Sequence, residues 1–241
     1  MSISAALWEF RLLLLKLKIM DNSITALNQV NLIFLVGFMG LLPFMFTIVT
    51  SYCKIIVVAY IIRNALGVQQ VPPTMVLSGL AIILTMFIMA PVGMETYKLL
   101  ESTQALNDFS IRNIIDLVAN VSNPLNEFLL SNTDQRILNA FINASNRIWP
   151  EQMQGTIADD SLIFVIPSFV ITELTKAFQI GFLLYLPFIA IDLIISNILL
   201  AMGMMMVSPM TISLPFKLML FVTLDGWLKL SEGLMYSYTY T

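Results

Sequence analysis

Residues Leu199–Phe221 read LLAMGMMMVSPMTISLPFKLMLF, an apolar stretch that contains a glycine, three consecutive methionines, two prolines and one lysine. Neighbouring residues of a helix point about 100° apart. The three methionines, Met204–Met206, therefore cannot share one helix face, whereas a loop could turn all of them toward one opening. Gly203 and Pro209 are residue types found where a helix is interrupted. The stretch predicts a methionine-rich loop between two apolar helices; a proline-kinked core segment is the alternative.

The composition is that of a membrane protein. Of the 241 residues, 58% are hydrophobic and only 11% are charged, whereas charged residues make up about a quarter of a soluble domain. Two uncharged runs, Asn22–Cys53 and Asn64–Met94, each exceed the roughly 20 residues needed to cross a hydrocarbon core. We expect an integral membrane protein, or a subunit inserted through the membrane and buried among other subunits.

The residue inventory argues against several function classes. The net charge is −3, and no basic stripe is present to bind a phosphate backbone, so no nucleic-acid partner is predicted. Histidine is absent, which removes the commonest general base and metal ligand. The single cysteine, Cys53, excludes an intrachain disulfide and a cysteine-built metal cluster. The sequence therefore predicts no catalytic residues, no cofactor and no metal site.

Apolar and polar segments predict an all-α chain in four parts. Residues 1–21 form an N-terminal extension on the cytoplasmic side, and residues 22–94 form a first apolar helical hairpin. Residues 95–161, in which acidic residues outnumber basic ones and asparagine recurs, predict a small polar helical domain on the periplasmic side. Residues 162–241 form a second apolar hairpin with the methionine-rich loop. The hairpins carry prolines and embedded charges, so we expect them to pack against other protein.

Five charges embedded in the apolar segments are candidates for ion pairs. Glu173 and Lys176 are three residues apart and can pair along one helix face. Asp192 and Lys217 lie on opposite sides of the methionine-rich loop, so they can meet within one subunit or between neighbours if the loop closes a hairpin. Lys54, in the first apolar segment, also requires a partner. Because buried charges must be paired, we expect them to hold helices together; the alternative is that each lies at a membrane interface.

Three motifs are specific enough to compare with known families. They are RNALGVQQVPP (Arg63–Pro73), AFQIGFLLYLPFIAIDLIISNILLAMGMMMVSPMTISLPFKLMLF (Ala177–Phe221) and LDGW (Leu224–Trp227). Together they resemble the FliP/SctR family, the export-gate subunits of flagellar and virulence-associated type III secretion systems. The resemblance covers most of residues 30–230. The cleaved signal sequence usual in flagellar members is not found here, which favours the virulence-associated (injectisome) branch.

The resemblance implies a core component of the export apparatus, not an enzyme. Such subunits form a ring-like helical assembly of about five copies, with smaller Q/S-type and R/T-type partners and with larger export-gate and switch subunits. The assembly lies in the bacterial inner membrane, within the basal body of the secretion system, and forms the gated entry pore for unfolded secreted proteins. Its hairpins lie largely out of the bilayer plane, so hydropathy overcounts true spans.

The resemblance also implies roles for individual residues. Met204, Met205 and Met206 correspond to a gasket that constricts the pore, in a loop shaped by Gly203 and Pro209. Flexible thioether side chains require no specific hydrogen bonds, so a ring of them can exclude ions and still deform around a passing peptide. Ion pairs within and between subunits would then lock the ring, and the residues implied in them are Lys54, Glu173, Lys176, Asp192 and Lys217.

A secondary transporter is the competing hypothesis. Asp192, Glu173 and Lys217 would then relay a coupled ion between broken helices. A transporter of this kind predicts a weak internal repeat, and the first half of the chain has no counterpart of the methionine-rich loop. A purely structural membrane scaffold is a second alternative, and it would tolerate substitutions of Met204–Met206 without effect.

Overall fold

The described part of the chain is helical. The computed structural model describes residues 36–37, 39–41, 43–68, 71–102, 111–204 and 206–240, and no strand occurs within them. The all-α class predicted from the sequence is confirmed. The helices are α1 (Pro43–Val49), α2 (Tyr52–Ala65), α3 (Thr74–Ser102), α4 (Ile111–Asn132), α5 (Gln135–Ile148), α6 (Leu162–Ala201), α7 (Pro209–Thr223) and α8 (Gly226–Tyr236), with a short 3₁₀ turn at Glu151–Met153.

The chain divides into two units, Met1–Phe46 and Thr47–Thr241. In the described residues of the first unit, large apolar side chains are exposed, among them Val36, Met39 and Phe44. The predicted N-terminal extension, residues 1–21, lies outside the described residues, so its cytoplasmic position stays a prediction.

Helix α2 forms the centre of the second unit and packs against α3 and α6. Ile55, Val58 and Ile62 recur at helical spacing and are almost completely buried. Where α2 crosses α6, a Cβ atom added to Gly181 would lie 2.4 Å from Cδ1 of Ile61. Glycine at this position therefore permits the close approach of the two helices.

Helix α6 is the longest element, with 40 residues, and it continues through two prolines, Pro167 and Pro187. Its N-terminal half belongs to the core, where Val165, Phe169 and Ala177 are inaccessible to solvent. Its C-terminal half is apolar but largely exposed; the exposed side chains include Phe178, Phe182, Leu183, Leu186, Leu193, Ile194, Ile198 and Leu200. The N-terminal half of α6 is thus part of the core, and its C-terminal half is an apolar helix exposed to the surroundings.

The polar segment of the chain is packed onto the apolar helices. The boundary predicted at residue 94 falls inside α3, which continues to Ser102. Helices α4 and α5 both pack on α6, and Phe128, Leu129 and Leu138 are buried in the common core. The segment's expected periplasmic side stays a prediction.

Two helical stretches, Thr74–Leu99 and Leu162–Ala201, are long and apolar enough to cross a membrane. The number rises to four if α1 with α2 and α7 with α8 each count as one broken span. The second break is the LDGW motif, where α7 and α8 meet at 58°. There Asp225 has a φ of 50°, and a Cβ atom added to Gly226 would lie 2.3 Å from the Phe221 ring. The motif is therefore a tight bend between two helices.

Candidate functional site

The methionine-rich loop joins α6 to α7 through a Schellman motif. The backbone N–H of Gly203 donates to the Leu200 carbonyl at 3.0 Å, and that of Met204 donates to the Leu199 carbonyl at 2.9 Å. Gly203 has a φ of +72°, the left-handed conformation that this motif requires. Pro209 is the first residue of α7, where its missing N–H leaves no hydrogen bond unmade. Gly203 and Pro209 thus stand at the two ends of the loop, where the sequence places the interruption.

Two of the three gasket candidates present their side chains to the outside. Met204 is 45% exposed and Met206 is fully exposed at 101%, whereas Met205 lies outside the described residues. A rigid cap followed by exposed thioethers is the geometry that a deformable closure needs. The role of the three methionines as a seal stays a prediction.

Behind the loop, a cluster of polar side chains that we call the clasp joins α6 to α7. It consists of Asp192, Ser213 and Lys217. The Lys217 ammonium lies 2.6 Å from Oδ2 of Asp192, and the Ser213 hydroxyl donates to Oδ1 of the same carboxylate at 2.6 Å. The approach of Asp192 to Lys217, which the sequence leaves open between one subunit and two, takes place within one chain.

The clasp also reaches α2. Lys217 donates to the Ala65 carbonyl at 3.2 Å, in the last turn of α2, where unpaired carbonyl groups favour a cation. Lys217 is only 3% exposed, but the Asp192 side chain is 39% exposed. The clasp therefore fixes the base of the α6–α7 hairpin and leaves one face of its carboxylate open.

A second, fully buried ion pair joins α2 to α6. Nζ of Lys54 lies 3.3 Å from Oε1 of Glu173, and both side chains are 0% exposed. The sequence pairs Glu173 with Lys176 instead, one turn along the same helix. The partner differs because α2 packs directly on this face of α6, which brings Lys54 to Glu173 from 119 residues away.

Lys176 has a different partner from the one expected. Its ammonium donates to the Asn132 carbonyl at 2.8 Å. Asn132 is the last residue of α4, and the final carbonyls of a helix have no partner within it. Lys176 therefore caps α4 and ties it to α6.

Tyr238, which follows α8, completes the Lys54–Glu173 pair. Its hydroxyl donates to Oε2 of Glu173 and lies 3.3 Å from the Ser51 carbonyl. The face of its ring is 3.5 Å from the Lys54 ammonium, a cation–π contact. Burial, and then the charge of Glu173, raise the pKa of Tyr238 well above its usual value, so the hydroxyl keeps the proton that it donates.

Sequence reasoning missed three residues of these clusters: Ser213, Asn132 and Tyr238. Ser213 is four residues from Lys217 and so shares its helix face, a spacing that could have indicated it. Tyr238 and Tyr240 are two residues apart, the spacing that places side chains on one side of an extended segment, and both rings contact Phe128. No spacing signal indicated Asn132.

The chemistry of both clusters is that of structural ion pairs. Each charge meets a partner within the chain, so the clusters hold helices together. Among the described residues, no group of three or more His, Cys, Asp or Glu side chains could hold a metal ion.

A family match and several similar proteins point to the same family. The FliP family matches residues 35–234. The chain is 49% identical over 214 residues to "Yop proteins translocation protein R" of Yersinia pestis, covering 88% of this chain and 97% of that protein. It is 46% identical over 209 residues to "Hypersensitivity response secretion protein HrcR" of Ralstonia nicotianae, covering 86% and 96%.

A third relative has the same pattern. The chain is 46% identical over 200 residues to "Virulence protein YscR" of Salmonella typhimurium, covering 83% of this chain and 92% of that protein. The family match spans α1 to α7 and most of α8, both ends of the methionine-rich loop and all five embedded charges. The chain therefore belongs to the FliP family.

Proposed function

We propose that this chain is a core subunit of the export apparatus of a virulence-associated type III secretion system. In this role it contributes to the gated entry pore through which unfolded proteins leave the cytoplasm across the bacterial inner membrane. Membership of the FliP family and relatives named for translocation and secretion support the proposal. The observation that carries it is the exposed methionine-rich loop at the end of a clasped helical hairpin.

The geometry explains how such a loop would close a pore. The Schellman motif and Pro209 fix the two ends of the loop, and the clasp fixes the hairpin behind it, so the side chains of Met204 and Met206 project from a rigid base. Several copies arranged around an axis would bring these thioethers into one narrow ring. Thioethers are flexible and apolar, so the ring would exclude water and ions, and it would part around a polypeptide of any sequence.

Exposed apolar surface supports an assembled state. Helix α3 carries Met75, Phe87 and Met94 at 84%, 69% and 65% exposure, and the C-terminal half of α6 is similarly uncovered. Contiguous apolar surface of this extent marks contact with protein or lipid. We assign it to about five copies of this chain in a helical ring, to the smaller Q/S-type and R/T-type subunits, and to the larger export-gate and switch subunits of the basal body.

The first test is the native mass of the detergent-extracted complex, with and without co-expressed small export subunits. The proposal expects a discrete assembly of several copies that gains mass when those subunits are present. A monomer or dimer that is indifferent to them would refute the proposal.

The second test addresses the closure itself. Replacing Met204, Met205 and Met206 with alanine should raise ion leakage across the membrane and leave the assembly intact. The control replaces Met153, a methionine outside the loop and outside these apolar surfaces that is 51% exposed, with alanine. Leakage in the control alone, equal leakage in both, or loss of assembly in the loop variant would each contradict a gasket role.

The secondary-transporter alternative finds no support in these observations. Its relay residues are already held in place: Asp192 by Lys217 and Ser213, and Glu173 by Lys54 and Tyr238 at 0% exposure. A relay would have to break both arrangements in every cycle.

A further inference from the structure

The last described residues of the chain, Tyr238–Tyr240, form a segment that we call the strap. The backbone N–H of Thr239 donates to Oδ1 of Asn132 at 3.1 Å, and the Asn132 amide donates to the Thr239 carbonyl at 3.1 Å. The Ser131 hydroxyl donates to the same carbonyl at 3.2 Å. One asparagine side chain thus pairs both backbone groups of Thr239, as a neighbouring strand would.

Aromatic contacts hold the strap on either side of these hydrogen bonds. The Phe128 ring stacks on Tyr238 with centroids 5.9 Å apart and lies 5.6 Å from the Tyr240 ring. Aromatic pairs at such distances add stability beyond that of their buried area. The strap is therefore anchored on α4 by its backbone and by two of its three side chains.

The Lys54–Glu173 pair needs what the strap supplies. An ammonium has three donors and a carboxylate has about four acceptor positions, and the contact between the two charges uses one oxygen of Glu173. Tyr238 gives a donor to the other oxygen and places its ring over the ammonium. Because both charges are inaccessible to solvent, these contacts replace those that water would make.

We propose that the strap is a latch for this buried ion pair. With the strap docked, the pair is enclosed and the end of α4 is fixed to α2 and α6. With the strap released, the pair loses its third partner and the end of α4 loses its cross-link. The residues that the strap contacts lie at positions 51–173, so the latch closes only after synthesis has passed residues 238–240. The inference concerns folding and does not depend on the proposed function.

The contribution of the Tyr238 hydroxyl to the latch can be measured with Tyr238→Phe. This variant keeps the ring over Lys54 and removes only the hydroxyl that donates to Glu173. In the full chain purified in detergent, we expect its unfolding midpoint to fall by roughly 2–4 °C, the shift that one such hydrogen bond produces in a chain of this size. Tyr236→Phe is the matched control, because that tyrosine is 83% exposed, and it should leave the midpoint unchanged.

A second background distinguishes a latch from simple packing. In the double variant Lys54→Met/Glu173→Met the charges are gone, so Tyr238→Phe should lower the midpoint by less than half as much as in the native background. An equal loss in both backgrounds, or no loss in the native one, would overturn the latch, because the hydroxyl would then act without the ion pair.

The docking of the strap can be tested with Asn132→Leu, which removes the two hydrogen bonds between Asn132 and Thr239 and keeps the one from Ser131 and the aromatic contacts. We expect amide hydrogen exchange to rise roughly tenfold at the C-terminal end of α4 and around Lys54, with α7 unaffected. Uniform acceleration over the whole chain, or no change at α4, would overturn the proposal. Removal of residues 238–241 should reproduce the local pattern more strongly; if that variant is not recovered, the result for Asn132→Leu decides.

Discussion

The two ion pairs that the embedded charges form, Lys54–Glu173 and Lys217–Asp192, have the same chemistry and opposite surroundings. Lys54–Glu173 is 0% exposed on both sides and is closed by an aromatic residue from the end of the chain. Lys217–Asp192 is buried on the lysine side, and its carboxylate is 39% exposed. The first lies where α2, α4, α6 and the strap converge, and the second lies at the base of an exposed hairpin.

The difference in exposure between the two pairs indicates which of them the fold depends on more strongly. A charge without access to water has no alternative partner, so removing its counter-ion is costly. A half-exposed carboxylate can be rehydrated, and its remaining acceptor positions can receive a donor from another chain. Lys54–Glu173 therefore stabilises the single chain, and we propose that the open face of Asp192 is the part of the clasp available to a neighbouring subunit.

The largest effect should come from breaking the closed pair. Lys54→Met leaves the Glu173 carboxylate buried without its cation and should lower the free energy of unfolding by about 3–5 kcal/mol. Lys54→Met/Glu173→Met should recover most of that loss, because no charge remains to be desolvated. Denaturant unfolding of the detergent-purified chain measures both. If the double variant is as unstable as the single one, packing volume and not charge determines this site.

The open pair should respond asymmetrically. Asp192→Asn leaves the buried Lys217 ammonium without its anion and should lower the free energy of unfolding by about 2–3 kcal/mol. Lys217→Met leaves a carboxylate that water can reach, so the loss should be about 1 kcal/mol. Denaturant unfolding of the two variants side by side measures the difference. Equal losses would mean that Asp192 is no better hydrated than Glu173, and the comparison between the pairs would fail.

A third substitution tests whether the backbone conformation of Gly203 stabilises the end of the α6–α7 hairpin independently of the clasp. Gly203→Ala places a side chain at a φ of +72° and should lower the free energy of unfolding by about 1–2 kcal/mol. Gly93→Ala is the control: it lies within α3 with open space around its Cβ position and should be neutral or slightly stabilising. Denaturant unfolding measures both, and the Gly203→Ala loss should add to that of Lys217→Met if the two devices are independent.

The smallest effect on stability is expected for an exposed ion pair that lies outside the candidate membrane spans. This pair extends the comparison of buried and half-exposed pairs to the surface. Asp134 caps α5 and pairs with the guanidinium of Arg136, and these hydrogen bonds lower its pKa from 3.8 to about 2. A carboxylate with a lowered pKa stabilises the fold above pH 3.8 and loses that contribution as the pH falls toward 2. Asp134→Asn should remove this part of the acid dependence and keep the cap; an unchanged acid titration would contradict the assignment.

Local sequence patterns predict the elements of this fold well. The apolar runs indicate the long helices. Gly203 and Pro209 indicate the two ends of the methionine-rich loop, because glycine can adopt a positive φ at the end of a helix and proline has no N–H to lose at the start of one. The approach of Asp192 to Lys217 could also be anticipated, since a short loop brings the flanking helices side by side. These are all consequences of neighbours along the chain.

Contacts between distant segments could not be predicted in the same way. Lys54 meets Glu173 because Gly181 lets α2 approach α6, and no spacing rule encodes which helices touch. Tyr238 reaches the pair from a segment without helical periodicity. The boundary at residue 94 was placed where polar residues begin, yet α3 continues beyond it because a helix needs no apolar residues to propagate once it has formed.

The length of α6 has a consequence for how much of this protein a cell can hold. Its 40 residues extend about 60 Å at the rise of an α-helix, twice the roughly 30 Å of a hydrocarbon core. The exposed C-terminal half alone is about 30 Å long at that rise, so lipid could cover it in a free subunit, and in the assembly proposed above other subunits would cover it. Folding stability is then linked by mass action to the concentration of those subunits. With fewer of those subunits, a larger fraction of this chain would unfold and be degraded, which lowers its steady-state amount.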